Sequence, residues 1–259
     1  MIYQFSEYRL SIEPEIDVSI IKYVLTADRL RNVKPSSSTE NCWDLKLSNT
    51  IDNCGLELRW RSALDAELKY SIDVNSLSKQ HHSFPIAKQG AFNQALGKKS
   101  KNIIDASGGW GGDALLMAMQ GYQVTVVERQ PIMAILLQDA FARFAREQWV
   151  RKNTVPVPSL VFANAQHFFV DNQMNADCVY FDPMFPPKRK KSAAVNKRIQ
   201  LLQWLVGQDT DADGVLNAAI TAGYSRIAIK RPHYASPLLE NPSEQFSSKL
   251  VHYDVYLKS

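Results

Sequence analysis

The pattern of apolar and polar positions in this 259-residue chain changes near residue 100. Before that point, short alternating runs at 43–47, 56–61 and 68–74 are separated by turn-forming stretches such as KPSSST and DNCG. Short alternating runs between turn formers are typical of β-strands. We therefore predict a small β-rich N-terminal domain over residues 1–83.

From about residue 100 onward, apolar runs rich in β-branched residues alternate with helical patterns. Strands that are apolar almost throughout are expected in a parallel sheet with both faces covered by helices. We predict strands over 102–107, 122–128, 159–164, 177–182 and 225–231, and helices over 112–120, 131–151, 195–206 and 214–222. The tail at 247–258 predicts an added edge strand, antiparallel to the others. Residues 84–259 are thus predicted to form an α/β domain.

The composition changes this picture little. Hydrophobic residues at 45% and charged residues at 22% are ordinary for a soluble globular protein. No apolar run approaches the roughly 20 residues that cross a bilayer, and the first residues lack the features of a secretory signal, so we expect a cytoplasmic protein. Cys42, Cys54 and Cys178 have no CxxC spacing, which argues against a disulfide framework or a metal site.

The first strand of the α/β domain ends in a glycine-rich turn that runs from Asp105 to Asp113. Glycines let the backbone approach a ligand, and ligands bind beyond the carboxyl ends of such strands. The second strand ends in Glu128, where a carboxylate normally holds ribose hydroxyls. Both features are also compatible with an ordinary turn and a surface glutamate. If they are functional, they suit a nicotinamide cofactor or S-adenosylmethionine (SAM).

The fourth strand favours SAM. It ends in Asp182-Pro183-Met184-Phe185, which resembles the (Asn/Asp)-Pro-Pro-(Tyr/Phe) loop of methyltransferases that act on exocyclic or amide nitrogens. Asp182 and the Pro183 carbonyl would accept the hydrogens of a target amine and orient its nitrogen. Phe185 would stack on the base plane, which is worth about 1–3 kcal/mol in single-stranded nucleic-acid sites.

Basic residues follow this loop. Residues 188–198 contain six cations and no acid, and such a cluster forms either a solvated face or a surface for a polyanion. A second basic pair ends the fifth strand, at the same sheet edge as Asp182. The candidate RNA-binding residues are Lys188, Arg189, Lys190, Lys191, Lys230 and Arg231.

Several stretches taken together resemble the RsmJ family, whose members methylate the N2 amine of one guanine near the 3′ end of bacterial 16S ribosomal RNA. The stretches are DASGGWGGDALLMAMQGYQVTVVERQP, DCVYFDPMFPPKRKKSA, VGQDTDADGVL, IAIKRPHYASPL and HYDVYL. The resemblance implies a Rossmann-like methyltransferase fold with SAM as cofactor and S-adenosylhomocysteine as product. It also implies that the partner is 16S rRNA or the 30S subunit, with no metal and no membrane.

The resemblance further implies which residues contact the cofactor. These are Asp105, Gly108, Gly112, Asp113, Glu128, Arg129, Asn164, Ala165 and Asp182, while Asp182, Pro183 and Phe185 carry the catalysis. The chain departs from the family pattern in three places: Gly112 replaces the usual Arg, Gly108-Gly-Trp-Gly replaces Ala-Gly-Leu-Gly, and the segment 81–97 has fewer arginines than the family pattern leads us to expect.

Two other functions agree with the residues alone. One is methylation of a different amine, such as DNA adenine or a protein amide, and the other is a SAM- or RNA-binding module without catalysis. The sequence leaves the oligomeric state open, and a monomer is the simplest expectation.

Overall fold

The computed structural model of the chain describes residues 2–4, 9–12, 42–47, 55–61, 68–74, 84–171, 174–184, 205–206 and 211–258. They belong to two compact units. The first unit comprises Met1–His82 and Pro131–Asn153, and the second comprises Ser83–Gln130 and Thr154–Ser259. The helical segment Pro131–Asn153 therefore groups with the N-terminal residues, whereas the predicted boundary at 83/84 assigns it to the second domain. That boundary stays a prediction.

The first unit contains a five-stranded sheet, which confirms the predicted β-rich N-terminal region. Its strands lie in the order β1-β2-β3-β4-β5, and only β2 and β3 pair in parallel. The strands are β1 (Ile2–Gln4), β2 (Arg9–Ile12), β3 (Cys42–Leu47), β4 (Leu56–Arg61) and β5 (Leu68–Tyr70). The short alternating runs are sufficient for β3, β4 and β5, but they do not reveal β1 and β2.

The second unit contains a seven-stranded sheet in the order β8-β7-β6-β9-β10-β12-β11. Its strands are β6 (Asn102–Asp105), β7 (Gln123–Glu128), β8 (Ser159–Phe162), β9 (Cys178–Phe181), β10 (Arg226–Pro232), β11 (Glu244–Ser247) and β12 (Val251–Leu257). Strands β6 to β10 pair in parallel, while β12 pairs antiparallel with both β10 and β11. The strand order reverses between β6 and β9, and a ligand crevice is expected at such a switch point.

The helices are α1 (Gly90–Leu96), α2 (Gly112–Met119), α3 (Pro131–Arg146), α4 (Gln148–Asn153), α5 (Ala165–Asp171) and α6 (Ala212–Thr221). In the second unit, α5 and α6 pack on one face of the sheet, in a cluster with Val179, Phe181 and Ile229. Residues two apart in a strand share a face, so Tyr180 points to the other side. There Phe92 of α1 contacts the Tyr180 ring, with 5.4 Å between the ring centroids.

The five predicted parallel strands are confirmed, each within two residues at either end. The predicted C-terminal strand is also confirmed as antiparallel, but its edge position is wrong. Strand β11, which the sequence pattern did not indicate, pairs along its outer side. The helix predicted over 131–151 is interrupted at Glu147, and the one predicted over 195–206 lies almost wholly outside the described residues. Cys178 is fully buried, as expected for a small apolar side chain.

Within the described residues, no helix is long and apolar enough to cross a membrane.

Candidate functional site

A cavity of about 500 Å³ lies at the carboxyl ends of the parallel strands of the second unit, beside the switch point. This volume is in the range of small-molecule sites. The cavity brings together all the described residues that the sequence marked for the cofactor or for catalysis. They are Asp105, Gly108, Gly112, Asp113, Glu128, Arg129, Asn164, Ala165, Asp182 and Pro183. Phe185 and the four cations at 188–191 lie outside the described residues.

The glycine-rich turn forms the wall of the cavity after β6. Gly109 and Gly111 have φ angles of 48° and 70°, a left-handed conformation that favours glycine. The Gly111 N–H donates to the Gly108 carbonyl at 2.8 Å, and the Gly111 carbonyl accepts the Leu115 N–H at 2.9 Å. The turn therefore ends where α2 begins, and the first two residues of α2, Gly112 and Asp113, line the cavity.

Gly112 differs from its glycine neighbours. Its φ angle is not positive, and a Cβ atom added to it would meet no other atom within 4 Å. The arginine implied by the family resemblance at this position would therefore begin in open space. The backbone of the turn does not depend on glycine here.

Glu128 connects the end of β7 to the glycine turn. Its side chain is buried, its Oε2 accepts the Gly109 N–H at 2.9 Å and its Oε1 accepts the Gln130 N–H at 2.6 Å. A carboxylate offers about four lone-pair positions, so it accepts backbone N–H groups and ligand hydroxyls together. These contacts place a rigid carboxylate at the wall of the cavity.

Two further polar residues of the cavity lining, Arg129 and Asn164, also have structural partners. Arg129 Nη1 forms an ion pair with Asp211 Oδ2 at 2.6 Å, and Asp211 immediately precedes α6. Asn164 caps α5, since its Oδ1 accepts the N–H groups of Gln166 at 2.9 Å and His167 at 3.3 Å. These contacts orient both side chains where β7 and β8 end.

Charged groups converge around Asp182, which also lines the cavity. Lys230 Nζ lies 2.9 Å from Asp182 Oδ2 and 3.0 Å from Asp113 Oδ2. The Tyr180 hydroxyl donates to the same Asp113 oxygen at 2.6 Å. The Asp182 N–H donates to Ser107 Oγ at 2.7 Å. Asp182 is therefore held through its side chain and its backbone.

Asp105 is buried beneath this group, with 2% of its surface exposed. Burial raises its pKa to about 7; the Ser107 N–H partly opposes the rise, and the charges of Asp113 and Asp182 add to it. The Ser107 hydroxyl donates to Asp105 Oδ1 at 3.3 Å. Ser107 thereby connects a carboxyl that titrates near neutrality to the backbone of Asp182.

The raised pKa of Asp105 makes stability depend on pH. Between its ordinary pKa of 3.8 and about 7, the folded protein keeps a proton that the unfolded chain has released, so stability falls as pH rises. We expect Asp105→Asn to remove this loss. The variant should therefore gain stability relative to the wild type as the pH rises. We expect the difference between their free energies of unfolding to grow by about 2–3 kcal/mol between pH 5 and pH 8. Urea denaturation of both proteins at the two pH values measures this. A difference that does not change with pH would show that Asp105 is ionised throughout.

Of the two candidate cations on β10, Lys230 is partly buried and Arg231 is buried. The Lys230 side chain is 25% exposed and forms ion pairs with two carboxylates. Arg231 is 6% exposed and donates a hydrogen bond to the Ser236 carbonyl. Their predicted contact with RNA stays a prediction, but in this conformation both are engaged within the protein.

Sequence reasoning missed three residues of the site. Tyr180 and Ser107 hold Asp113, Asp105 and Asp182, while Asp211 holds Arg129. Ser107 and Tyr180 stand within or next to the predicted motifs, but their partners are distant in sequence. Among the described residues, no cluster of three His, Cys, Asp or Glu side chains is arranged to hold a metal ion.

Comparisons with known proteins identify the class to which this chain belongs. A family model for SAM-dependent methyltransferases matches residues 35–258. A SAM-dependent methyltransferase from Neisseria gonorrhoeae has a similar crystal structure, with a TM-score of 0.63 over 96% of this chain and 95% of that chain, at 23% identity. At that identity the likeness shows the fold alone. The fold, the site and the family model together define a SAM-dependent methyltransferase with a Rossmann-like sheet.

Relatives specify the family. Ribosomal RNA small subunit methyltransferase J from Desulfotalea psychrophila is 34% identical over 215 residues, which are 80% of this chain and 82% of the relative. The protein of the same name from Shewanella oneidensis is 36% identical over 240 residues, 81% of this chain and 93% of the relative. The chain belongs to the ribosomal RNA small subunit methyltransferase J family, which confirms the resemblance to RsmJ.

Proposed function

We propose that this protein transfers a methyl group from SAM to the exocyclic N2 amine of one guanine in 16S rRNA. The observation that carries the proposal is Asp182-Pro183 at the wall of the cofactor cavity, with its carboxylate and backbone both held in place. The relatives named ribosomal RNA small subunit methyltransferase J support the choice of RNA. Such a substrate would place the enzyme in the bacterial cytoplasm.

The cavity suits a cationic cofactor. Even with Asp105 protonated, the described carboxylates of its lining, at positions 113, 128, 182 and 211, outnumber its cations, Arg129 and Lys230. SAM carries a positive sulfonium and an ammonium group, and a site with excess negative charge favours both. In our assignment Gly108, Gly112, Asp105 and Asp113 hold the methionine end. Glu128 holds the ribose, and Arg129, Asn164 and Ala165 line the base end.

Replacing Glu128 by alanine tests the cofactor assignment. Losing a carboxylate that accepts the ribose hydroxyls should raise the Kd for SAM about 10- to 100-fold, since hydrogen bonds to charged groups are worth about 1.5–3 kcal/mol. Isothermal titration calorimetry gives the Kd, and a melting curve checks that the turn around Gly109 still folds. Glu240→Ala is the matched control, because Glu240 is exposed and does not line the cavity. Equal affinity in all three proteins would remove Glu128 from the cofactor site.

The amine chemistry explains the need for Asp182. The lone pair of a guanine N2 amine is delocalised into the ring, so the nitrogen attacks only when it is oriented and its hydrogens are accepted. SAM supplies an activated methyl group when bound. When the nitrogen bonds to the methyl carbon, the bond from that carbon to the cofactor sulfur would break, and S-adenosylhomocysteine would leave with the electron pair. The positive charge would pass to the nitrogen, where a fixed Asp182 carboxylate beside it would stabilise it until the amine loses a proton to solvent. The Pro183 carbonyl is assigned as the second acceptor. Most of the rate enhancement then comes from positioning.

The RNA-facing residues complete the proposal. Tyr234 is 50% exposed and lines the cavity, which suits stacking on a base removed from its helix. Phe185 is assigned to the target base, and the cations at 188–191 are assigned to phosphates on sequence grounds. Phosphate contacts would offset the few kcal/mol needed to unstack the target base.

A methylation assay tests the function directly. Purified protein and labelled SAM are incubated with 16S rRNA, with 30S subunits from a strain lacking this gene, with DNA and with free protein. We expect label in rRNA alone, and mass spectrometry of the digested rRNA should locate it on guanine N2. Label only in DNA or protein would overturn the choice of substrate. Absence of both transfer and SAM binding would favour a module without catalysis.

A further inference from the structure

Lys230 lies at the centre of the charged group around Asp182. Strand β10 pairs in parallel with β9, with Ile229 opposite Phe181, so Lys230 is level with Asp182 at the end of β9. Its ammonium contacts Asp182 Oδ2 at 2.9 Å and Asp113 Oδ2 at 3.0 Å. These carboxylates come from two other elements, α2 and the loop after β9. One cation thus connects the catalytic loop to the start of the helix that follows the glycine turn.

The charge of this lysine is fixed. Burial alone would lower the pKa of Lys230, but the carboxylates of Asp182 and Asp113 outweigh this effect and raise it above its ordinary value. The ammonium is therefore protonated at neutral pH. It does not take up the proton that the target amine releases, so its contribution is electrostatic and geometric.

We propose that Lys230 is a positioning residue, whose ammonium holds the Asp182 carboxylate beside Asp113 in the one orientation that serves the target amine. The inference rests on the proposed function, since it takes Asp182 as the acceptor of that amine. Two carboxylates contacting the same nitrogen are close neighbours, and without the cation they repel each other. Asp182 would then turn away from the amine even though its backbone remains on Ser107.

A phosphate contact, which the sequence suggested for this residue, predicts different behaviour. Removing a phosphate contact raises the KM for RNA. It also reduces the slope of log binding constant against log salt concentration by about 1, because one fewer counterion is released on binding. Removing a positioning charge lowers kcat and leaves RNA binding unchanged. The geometry favours positioning, because both contacts of the ammonium are carboxylates and its side chain is only 25% exposed.

The test compares Lys230→Met with Lys230→Arg and with the control Lys98→Met, an exposed lysine that does not line the cavity. With SAM saturating, we expect Lys230→Met to lower kcat about 100-fold, the loss typical of a reacting group misplaced by about 1 Å. The KM for RNA and its salt dependence should match the wild type. Lys230→Arg keeps the charge and should recover most of the loss, and Lys98→Met should behave as the wild type.

A pH profile adds a readout that loss of packing would not produce. The charged and titratable groups that face Lys230 or its partners are Asp182, Asp113, Tyr180, Tyr253 and Asp105. Without the cation, the carboxylates of the cleft take up protons more readily. The acid limb of kcat should therefore move to higher pH in Lys230→Met and return in Lys230→Arg.

Carbon-13 NMR of the labelled aspartate carboxyls follows the same shift without any substrate, with assignments from Asp182→Asn. This separates failure of the inference from failure of the proposed function. If wild type does not methylate rRNA but the carboxyl titration moves as expected, the substrate is wrong and the role of Lys230 stands. An unchanged kcat in Lys230→Met with a raised KM for RNA would overturn the positioning role. A carboxyl titration identical to that of the wild type would also overturn it.

Discussion

Replacing Asp182 by alanine is expected to lower kcat for rRNA methylation about 100- to 1000-fold while the protein stays folded. A preorganised group that stabilises charge developing in the transition state contributes about this much in other enzymes. The fold should persist, because Asp182 is partly exposed and its backbone contact with Ser107 does not need the side chain. Single-turnover transfer to 16S rRNA with saturating SAM measures the chemical step, and a melting curve confirms folding.

Asp182→Asn is the informative companion to this variant. Asparagine keeps an oxygen that accepts a hydrogen from the amine, and it occurs at this position in the related loops. It loses the negative charge that pairs with Lys230. Because the oxygen acceptor remains, we expect a smaller loss of kcat in Asp182→Asn than in Asp182→Ala. Wild-type turnover in Asp182→Ala would remove the residue from the mechanism, whereas equal losses in both variants would show that the charge itself is essential.

Replacing Asp139 by alanine is expected to destabilise the first unit by about 3–5 kcal/mol, the usual cost of leaving one partner of a buried ion pair uncompensated. Asp139 and Arg143 are both buried on α3, and Asp139 Oδ2 lies 2.8 Å from Arg143 Nε. The same oxygen accepts the Leu56 N–H at 3.0 Å, and Arg143 Nη2 donates to the Ile72 carbonyl at 3.0 Å. The variant would leave a buried cation and a buried N–H group without their acceptor.

Urea denaturation and hydrogen exchange measure this effect. The unfolding midpoint should fall, and the Leu56 amide should lose protection more than amides of the second unit. Asp171→Ala is the matched control, because Asp171 is an exposed helical aspartate. If the two variants have the same unfolding midpoint, the buried network around Asp139 stabilises the protein no more than an exposed aspartate does.

The sequence could predict the parallel strands because burial on both faces gives them a continuous apolar signature. β9 is buried at all four positions, and β7 at four of six. Strand β11 lacks that signature: its residues alternate between partly buried and exposed positions, and it is held by pairing with β12. Pairing between distant segments leaves little trace in a short polar run. The tail strand was therefore placed at an edge that β11 occupies.

The cofactor-binding and catalytic candidates could be predicted from the sequence for a related reason. Each stands at the end of a strand, and the carboxyl ends of parallel strands meet at one edge, so Asp105, Glu128 and Asp182 were expected to come together. The structure places all three at one cavity. Motif spacing along the chain was enough for that result.

What surrounds those residues was decided by the tertiary structure. In sequence, Lys230 is a basic residue near others, and it was expected on phosphate. The pairing of β10 with β9 places it between Asp113 and Asp182 instead. The burial that raises the pKa of Asp105 to about 7 likewise depends on the packing around it. By itself the sequence determined the order of the strands along the chain and the chemical groups at their ends. Only the folded chain determined which charges neutralise one another, because electrostatic interactions depend on distances between elements that are far apart in sequence.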